Sequence, residues 1–149
     1  MLVYRITLAK YAGRLQASGR AARWNHNQVE MIYTSSSRSL ACLENIVHCN
    51  QLALARNFRI LTIEIPEEIQ LEIYEVDSLP SDWREFSRMP LTQAIGSSWI
   101  EEKTSGVLRV PSSIIPEECN FLINPAHSDF TKINILKVED FVFDERIKR

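Results

Sequence analysis

Hydrophobic and polar positions along the chain switch repeatedly between a two-residue and a helical period. A short strand is predicted over residues 3–6 and another over 29–34 (VEMIYT), where apolar and polar side chains alternate. Ser35, Ser36 and Ser37 follow, and any of them can cap a helix by accepting a bond from a free backbone N–H. The helix is predicted over 38–49. Its apolar positions Leu40, Leu43 and Val47 recur at three and four residues, with Cys42 and Ile46 on the flank. The clearest sheet signal lies in 58–65 (FRILTIEI), ended by Pro66, and in 69–76 (IQLEIYEV). Residues 77–90 read as loop. Thr92 is placed to cap a second helix over 93–102, broken near Gly96. Short strands are predicted over 108–110 and 121–123, halted by Pro111 and Pro125, and one or two more over 133–143. Residues 12–27, rich in Gly, Arg and Asn, read as loop. The sum is one α+β domain over 1–149, with a mostly antiparallel sheet and two or three helices.

Composition adds limits to this picture. A chain of 149 residues with 45% hydrophobic and 24% charged residues fits a soluble globular protein with a real core. No run approaches the roughly 20 apolar residues needed to cross a bilayer. The opening MLVYRITLAK carries early charge and no small-residue cleavage site, so no secretory signal and a cytoplasmic protein are expected. The net charge of −2 argues against a duplex footprint. Arg14, Arg20, Arg23 and Arg38 suit a phosphate-bearing small molecule better, and a solvated surface explains them equally well. Neither direct nucleic-acid binding nor a membrane partner is expected. Cys42, Cys49 and Cys119 form no CxxC pair and share no ligand spacing with His26, His48 or His127. No metal site and no disulfide are expected.

Candidate chemistry concentrates in residues 19–49. Arg23, Tyr33 and Glu44 stand ten and eleven residues apart on a loop, a strand and a helix. A guanidinium, a phenol and a carboxylate could together hold and cleave an anionic nucleotide at a glycosidic bond. Glu44 falls one turn after Leu40, about 40° from its direction, so it borders the apolar stripe and should be half-buried. Arg23 can fork onto a phosphate, with Trp24 beside it to pack or stack. Tyr33 ends a strand just before a helix start, where backbone N–H groups converge on anions. Ser112, after Pro111, presents a hydroxyl from a fixed backbone. Each has an ordinary explanation in isolation: a boundary glutamate, a surface arginine, an edge aromatic and a turn serine. No Ser-His-Asp order, GxGxxG or Walker-type loop is present.

Several motifs are shared with one known family. They are YRIT at 4–7, GRAARWN at 19–25, MIYTSSSRSLACLENIVH at 31–48, LPSDW at 79–83 and TQAIGSSWI at 92–100. LRVPSSIIPEECNFLINPAH at 108–127 and FVFDERI at 141–147 complete the set. With these, in this order, the chain resembles the RES domain family of bacterial toxins from type II toxin–antitoxin operons. The resemblance implies a fold like that of ADP-ribosyltransferases and an activity that removes NAD as a substrate, by hydrolysis or phosphorolysis of its nicotinamide–ribose bond. Protein ADP-ribosylation is the alternative. It implies catalytic roles for Glu44, Arg23, Tyr33 and Ser112. Arg5 and Ser35 join Arg23 and Tyr33 as binding residues. No metal is implied. The implied partner is a DNA-binding antitoxin of the Xre type, with a toxin homodimer inside the complex. A further reading, a non-catalytic module that docks a partner through residues 108–125, stays open.

Overall fold

The computed structural model describes residues 1–54 and 56–147. Seven strands form one sheet: β1 (Leu2–Leu8), β2 (Ile32–Ser35), β3 (Phe58–Glu64), β4 (Leu71–Ile73), β5 (Val107–Pro111), β6 (Cys119–Ile123) and β7 (Asn134–Phe141). Their spatial order is β4-β5-β6-β2-β1-β3-β7. Every pairing is antiparallel except β4 with β5. Helix α1 (Arg38–His48), a single turn α2 (Gln51–Leu54) and helix α3 (Met89–Glu102) complete the elements, with short 3-10 turns between them. The architecture is thus the α+β, mostly antiparallel one. No helix among the described residues is long and apolar enough to cross a membrane.

Strand alternation divides the core between the two faces of the sheet. Val3, Ile32, Leu61, Ile63, Val107, Phe121 and Ile123 pack on one face. The opposite face carries two separate clusters. Leu108, Val110 and Leu122 pack with Trp24, Met31, Trp83 and Trp99 of α3. Ile6, Phe58 and Ile60 pack with Ala41, Cys42 and Ile46 of α1. Two helical layers on one face, with separate cores, leave room for a cleft between them.

The helices differ from expectation in instructive ways. Ser37 is the cap of α1: its hydroxyl accepts the Leu40 N–H at 3.1 Å. Ser37→Ala is expected to lower stability by about 1 kcal/mol, read as an earlier midpoint in urea unfolding. The stripe that packs on the sheet is Ala41, Cys42, Ile46 and Cys49, and Val47 is 57% exposed. Of the expected Leu40–Leu43–Val47 stripe, Leu40 is fully buried and Leu43 partly so, while Val47 is turned outward. Helix α3 starts at Met89 and is continuous through Gly96. Pro90 sits in its first turn, where the missing N–H has no partner to lose. Thr92 lies inside the helix, and its hydroxyl donates to the Arg23 carbonyl.

The strong pattern at 69–76 yields only Leu71–Ile73 as strand. β4 is the sheet edge, far from β3, and pairs only with β5. Ile69 is still buried, but in a turn where its N–H bonds the Pro66 carbonyl. Within 133–143 a single strand forms, β7 (Asn134–Phe141).

Candidate active site

Ala41, Glu44, Asn45 and His48 recur at three and four residues, which puts them on one side of α1. All four line a cavity of about 750 Å³. That volume lies within the roughly 300–1,000 Å³ typical of small-molecule sites. Tyr33 and Ser35 leave β2 on one face and line it from the sheet. Arg23, Trp24 and Met31 close the side toward α3. The cavity thus opens between the two cores of the same sheet face.

The sheet itself is incomplete here. β1 and β2 share a single residue pair, Tyr4 with Ser35. Beyond it, Arg5 takes the place of ladder bonds. Its guanidinium donates to the Tyr33 carbonyl at 3.0 Å and to the Gln16 carbonyl at 3.3 Å. Arg5 also lines the cavity. Burial pulls its guanidinium below the ordinary arginine range. No carboxylate pairs with it among the described residues. Arg23 donates to the carbonyls of Trp83, Arg84 and Glu85 at 3.4, 3.2 and 3.3 Å. Burial lowers its pKa as well, and the nearby Glu44 charge opposes that shift. Among the described residues both arginines hydrogen-bond to neutral carbonyls and form no ion pair, so their charge remains available to an anion.

Glu44 is half-buried, and its Oε1 accepts two hydrogen bonds: from the Ser112 hydroxyl at 2.9 Å and the Asn120 amide at 2.6 Å. Oε2 accepts none among the described residues. Ser112 is fully buried behind the carboxylate, and its oxygen accepts the N–H groups of Ile114 and Ile115 at 3.1 and 3.2 Å. Its proton is therefore committed to Glu44, and the neighbouring Ser113 and Ile114 line the cavity. Ser35 is also buried; its hydroxyl donates to the Asn120 carbonyl oxygen at 2.8 Å.

The Tyr33 hydroxyl is likewise occupied. It donates to Asn25 Oδ1 at 2.6 Å and accepts the Trp24 N–H at 3.0 Å. Burial pushes this phenol well above its ordinary range, so it stays protonated at neutral pH. Its hydroxyl braces the loop that carries Arg23, and its ring is left for the cavity.

The structure thus brings Arg5, Arg23, Tyr33, Ser35 and Glu44 to one cavity and sets Ser112 directly behind it. Among the lining residues Glu44 is the one carboxylate. The residue missed by sequence reasoning is Asn120. It sits in an apolar strand, CNFLI, and its only signal is a lone amide at an inward position.

Residues 2–144 match the family model described as RES domain. A protein named Toxin Res from Photorhabdus laumondii subsp. laumondii is 40% identical over 152 residues, which cover 99% of this chain and 97% of that protein. A Prs ADP-ribosylating toxin from Sphingobium sp. is 40% identical over 129 residues, covering 85% of this chain and 80% of its own length. A chain in the crystal structure of the M. tuberculosis MbcT–MbcA toxin–antitoxin complex shares the fold. Its TM-score is 0.78 over 95% of this chain and 84% of that one, at 16% identity.

Proposed function

Because this chain belongs to the RES domain family, we propose that it is the toxin of a toxin–antitoxin pair and cleaves the nicotinamide–ribose bond of NAD in the cytoplasm. The observation that carries this reading is the shared cavity: one half-buried carboxylate with a fixed Oε1, facing the same space as two guanidinium groups that form no ion pair among the described residues.

The chemistry follows from that set. As the bond between ribose C1 and the nicotinamide nitrogen breaks, its electron pair leaves with nicotinamide. Positive charge builds on the ribose as an oxocarbenium-like centre. A fixed carboxylate beside that charge, or beside the adjoining ribose hydroxyl, stabilises the transition state more than the ground state. The same logic places carboxylates against sugar cations in glycoside hydrolysis. Nicotinamide is neutral once released, so no strong general acid and no metal ion are needed. Water then bonds to C1 and gives its proton to solvent, leaving ADP-ribose. Inorganic phosphate in place of water bonds to C1 and gives ADP-ribose phosphorylated at that carbon. Arg5 and Arg23 pair the diphosphate, and the Tyr33 ring packs on the nicotinamide or its ribose.

One observation favours a second acceptor. The relative from Sphingobium is named as an ADP-ribosylating toxin at 40% identity, so transfer to a protein nucleophile fits the same site. The toxin–antitoxin complex that contains a chain of this fold supports a cognate antitoxin as partner, and we take that partner to be of the Xre type, bound around a toxin homodimer.

Purified protein mixed with adenylate-labelled NAD should release nicotinamide and labelled ADP-ribose, or its phosphate when phosphate is present. Label appearing on a protein band after addition of lysate would assign protein transfer. No nicotinamide release in any arm would reject NAD cleavage and favour the docking module.

A further inference from the structure

We infer that Ser35 and Asn120 form a positioning relay that holds Glu44 by its Oε1 and reserves Oε2 for the substrate; the inference rests on the NAD-cleaving reading above.

The direction of each bond is dictated by chemistry. An ionised carboxylate only accepts hydrogen bonds, so the Asn120 group facing Glu44 at 2.6 Å must be its NH2 end. The carbonyl end then faces Ser35, whose hydroxyl must donate, at 2.8 Å. The carboxylate thereby fixes which end of the amide meets it, and Ser35 supports that orientation by donating to the amide oxygen. The relay is built on strand register: Ser35 of β2 and Asn120 of β6 are direct partners, so their side chains leave the same face side by side. Both are buried, Ser35 at 4% and Asn120 at 8% exposure. Ser112 reaches the same oxygen from the end of β5.

Two donors converging on Oε1 have a consequence for Oε2. A glutamate on a helix has three rotatable side-chain bonds, and these donors lock them before substrate arrives. Interactions prepared in this way cost no reorganisation during the reaction. The relay also joins α1 to the sheet through a polar contact at the cleft, between the two apolar cores. Neither Ser35 nor Asn120 needs to touch the reacting atoms; they act through Glu44.

A space-filling role and a positioning role predict opposite orders for two variants. Asn120→Asp keeps the shape and can still accept from Ser35, but it loses the donor and sets a like charge against Glu44. Asn120→Ala removes the side chain without adding charge. Under the relay, Asn120→Asp lowers kcat for nicotinamide release by at least about 100-fold and Asn120→Ala by roughly tenfold. KM for NAD should stay within about threefold in both, since the phosphate contacts are untouched. Ser35→Ala should also reduce kcat, by less than Asn120→Asp. Rates are taken per folded molecule, with thermal midpoints measured alongside. Wild-type turnover in Asn120→Asp, or a greater loss in Asn120→Ala that tracks its midpoint, overturns the relay alone. Absence of turnover in the wild-type protein overturns the NAD reading and the relay's role with it.

Discussion

Glu44→Gln is expected to lower nicotinamide release from NAD by at least about 100-fold, with KM and thermal midpoint close to those of the parent protein. Glutamine has the length of glutamate, and its Oε1 can still accept from Ser112 and Asn120. The fold around α1 therefore keeps its two contacts, and packing is unchanged. What disappears is the negative charge. In water the energy between a carboxylate and a developing sugar cation is screened to about 1 kcal/mol at 4 Å; in a half-buried site the effective dielectric falls several-fold. A loss felt in the transition state alone lowers kcat and leaves KM in place. Expression in cells gives a second readout: the variant should spare cellular NAD while accumulating to normal levels. Depletion at the parental rate would remove Glu44 from the chemistry.

The parts of this site that were legible in the sequence were those with local causes. A serine run before a periodic segment announces a helix start, and Ser37 caps α1. Helical geometry alone puts Glu44 at a boundary, and it is half-buried. The alternation in 58–65 marks β3. What escaped depends on partners far apart in the chain. Asn120 meets Glu44 across 76 positions and Ser35 across 85. Such contacts come from strand order, and no local pattern encodes the order β6-β2-β1. The same reason explains Val47: it continues a good heptad-like stripe, but the sheet lies on the side of Cys42 and Ile46, so Val47 is left at the mouth of the cleft. At 69–76 the alternation was real, yet only Leu71–Ile73 pairs with β5, and Ile69 is held in the turn that follows Pro66.

Hydroxyl roles were the least readable. Ser112, Ser35 and Tyr33 were all candidates to touch substrate. In the structure each spends its hydroxyl on a protein group: Glu44, Asn120 and Asn25 respectively. A sequence names the donor but not its acceptor. These hydroxyls hold the charged groups in place: Ser112 and Ser35 serve the carboxylate, and Tyr33 serves the loop behind Arg23. Under the proposed function, recognition is then left to the guanidinium groups and the phenol ring.

Gly96→Ala is expected to destabilise the protein by about 3 kcal/mol and to raise KM for NAD. On helix propensity alone the sign would be opposite, because alanine stabilises a helix interior by about 1 kcal/mol over glycine. Contact decides against that. A Cβ at position 96 would lie 1.9 Å from the Trp24 carbonyl oxygen and 2.9 Å from its carbon. Those are backbone atoms of a residue only 2% exposed, so no flexible side chain can swing away. The helix face around Gly96 grips this loop: Thr92 donates to the Arg23 carbonyl, Gln93 to the Ala22 carbonyl at 2.9 Å, and Ser97 accepts the His26 N–H at 3.0 Å. Prying α3 from the loop strains all three contacts and shifts Arg23, the cation proposed to pair the diphosphate. For a domain of this size each kcal/mol moves the midpoint by roughly 2–4 °C, so calorimetry should show a fall of about 10 °C. An equal or higher midpoint would mean that the loop yields without cost, and that Arg23 does not depend on α3 for its place at the cleft.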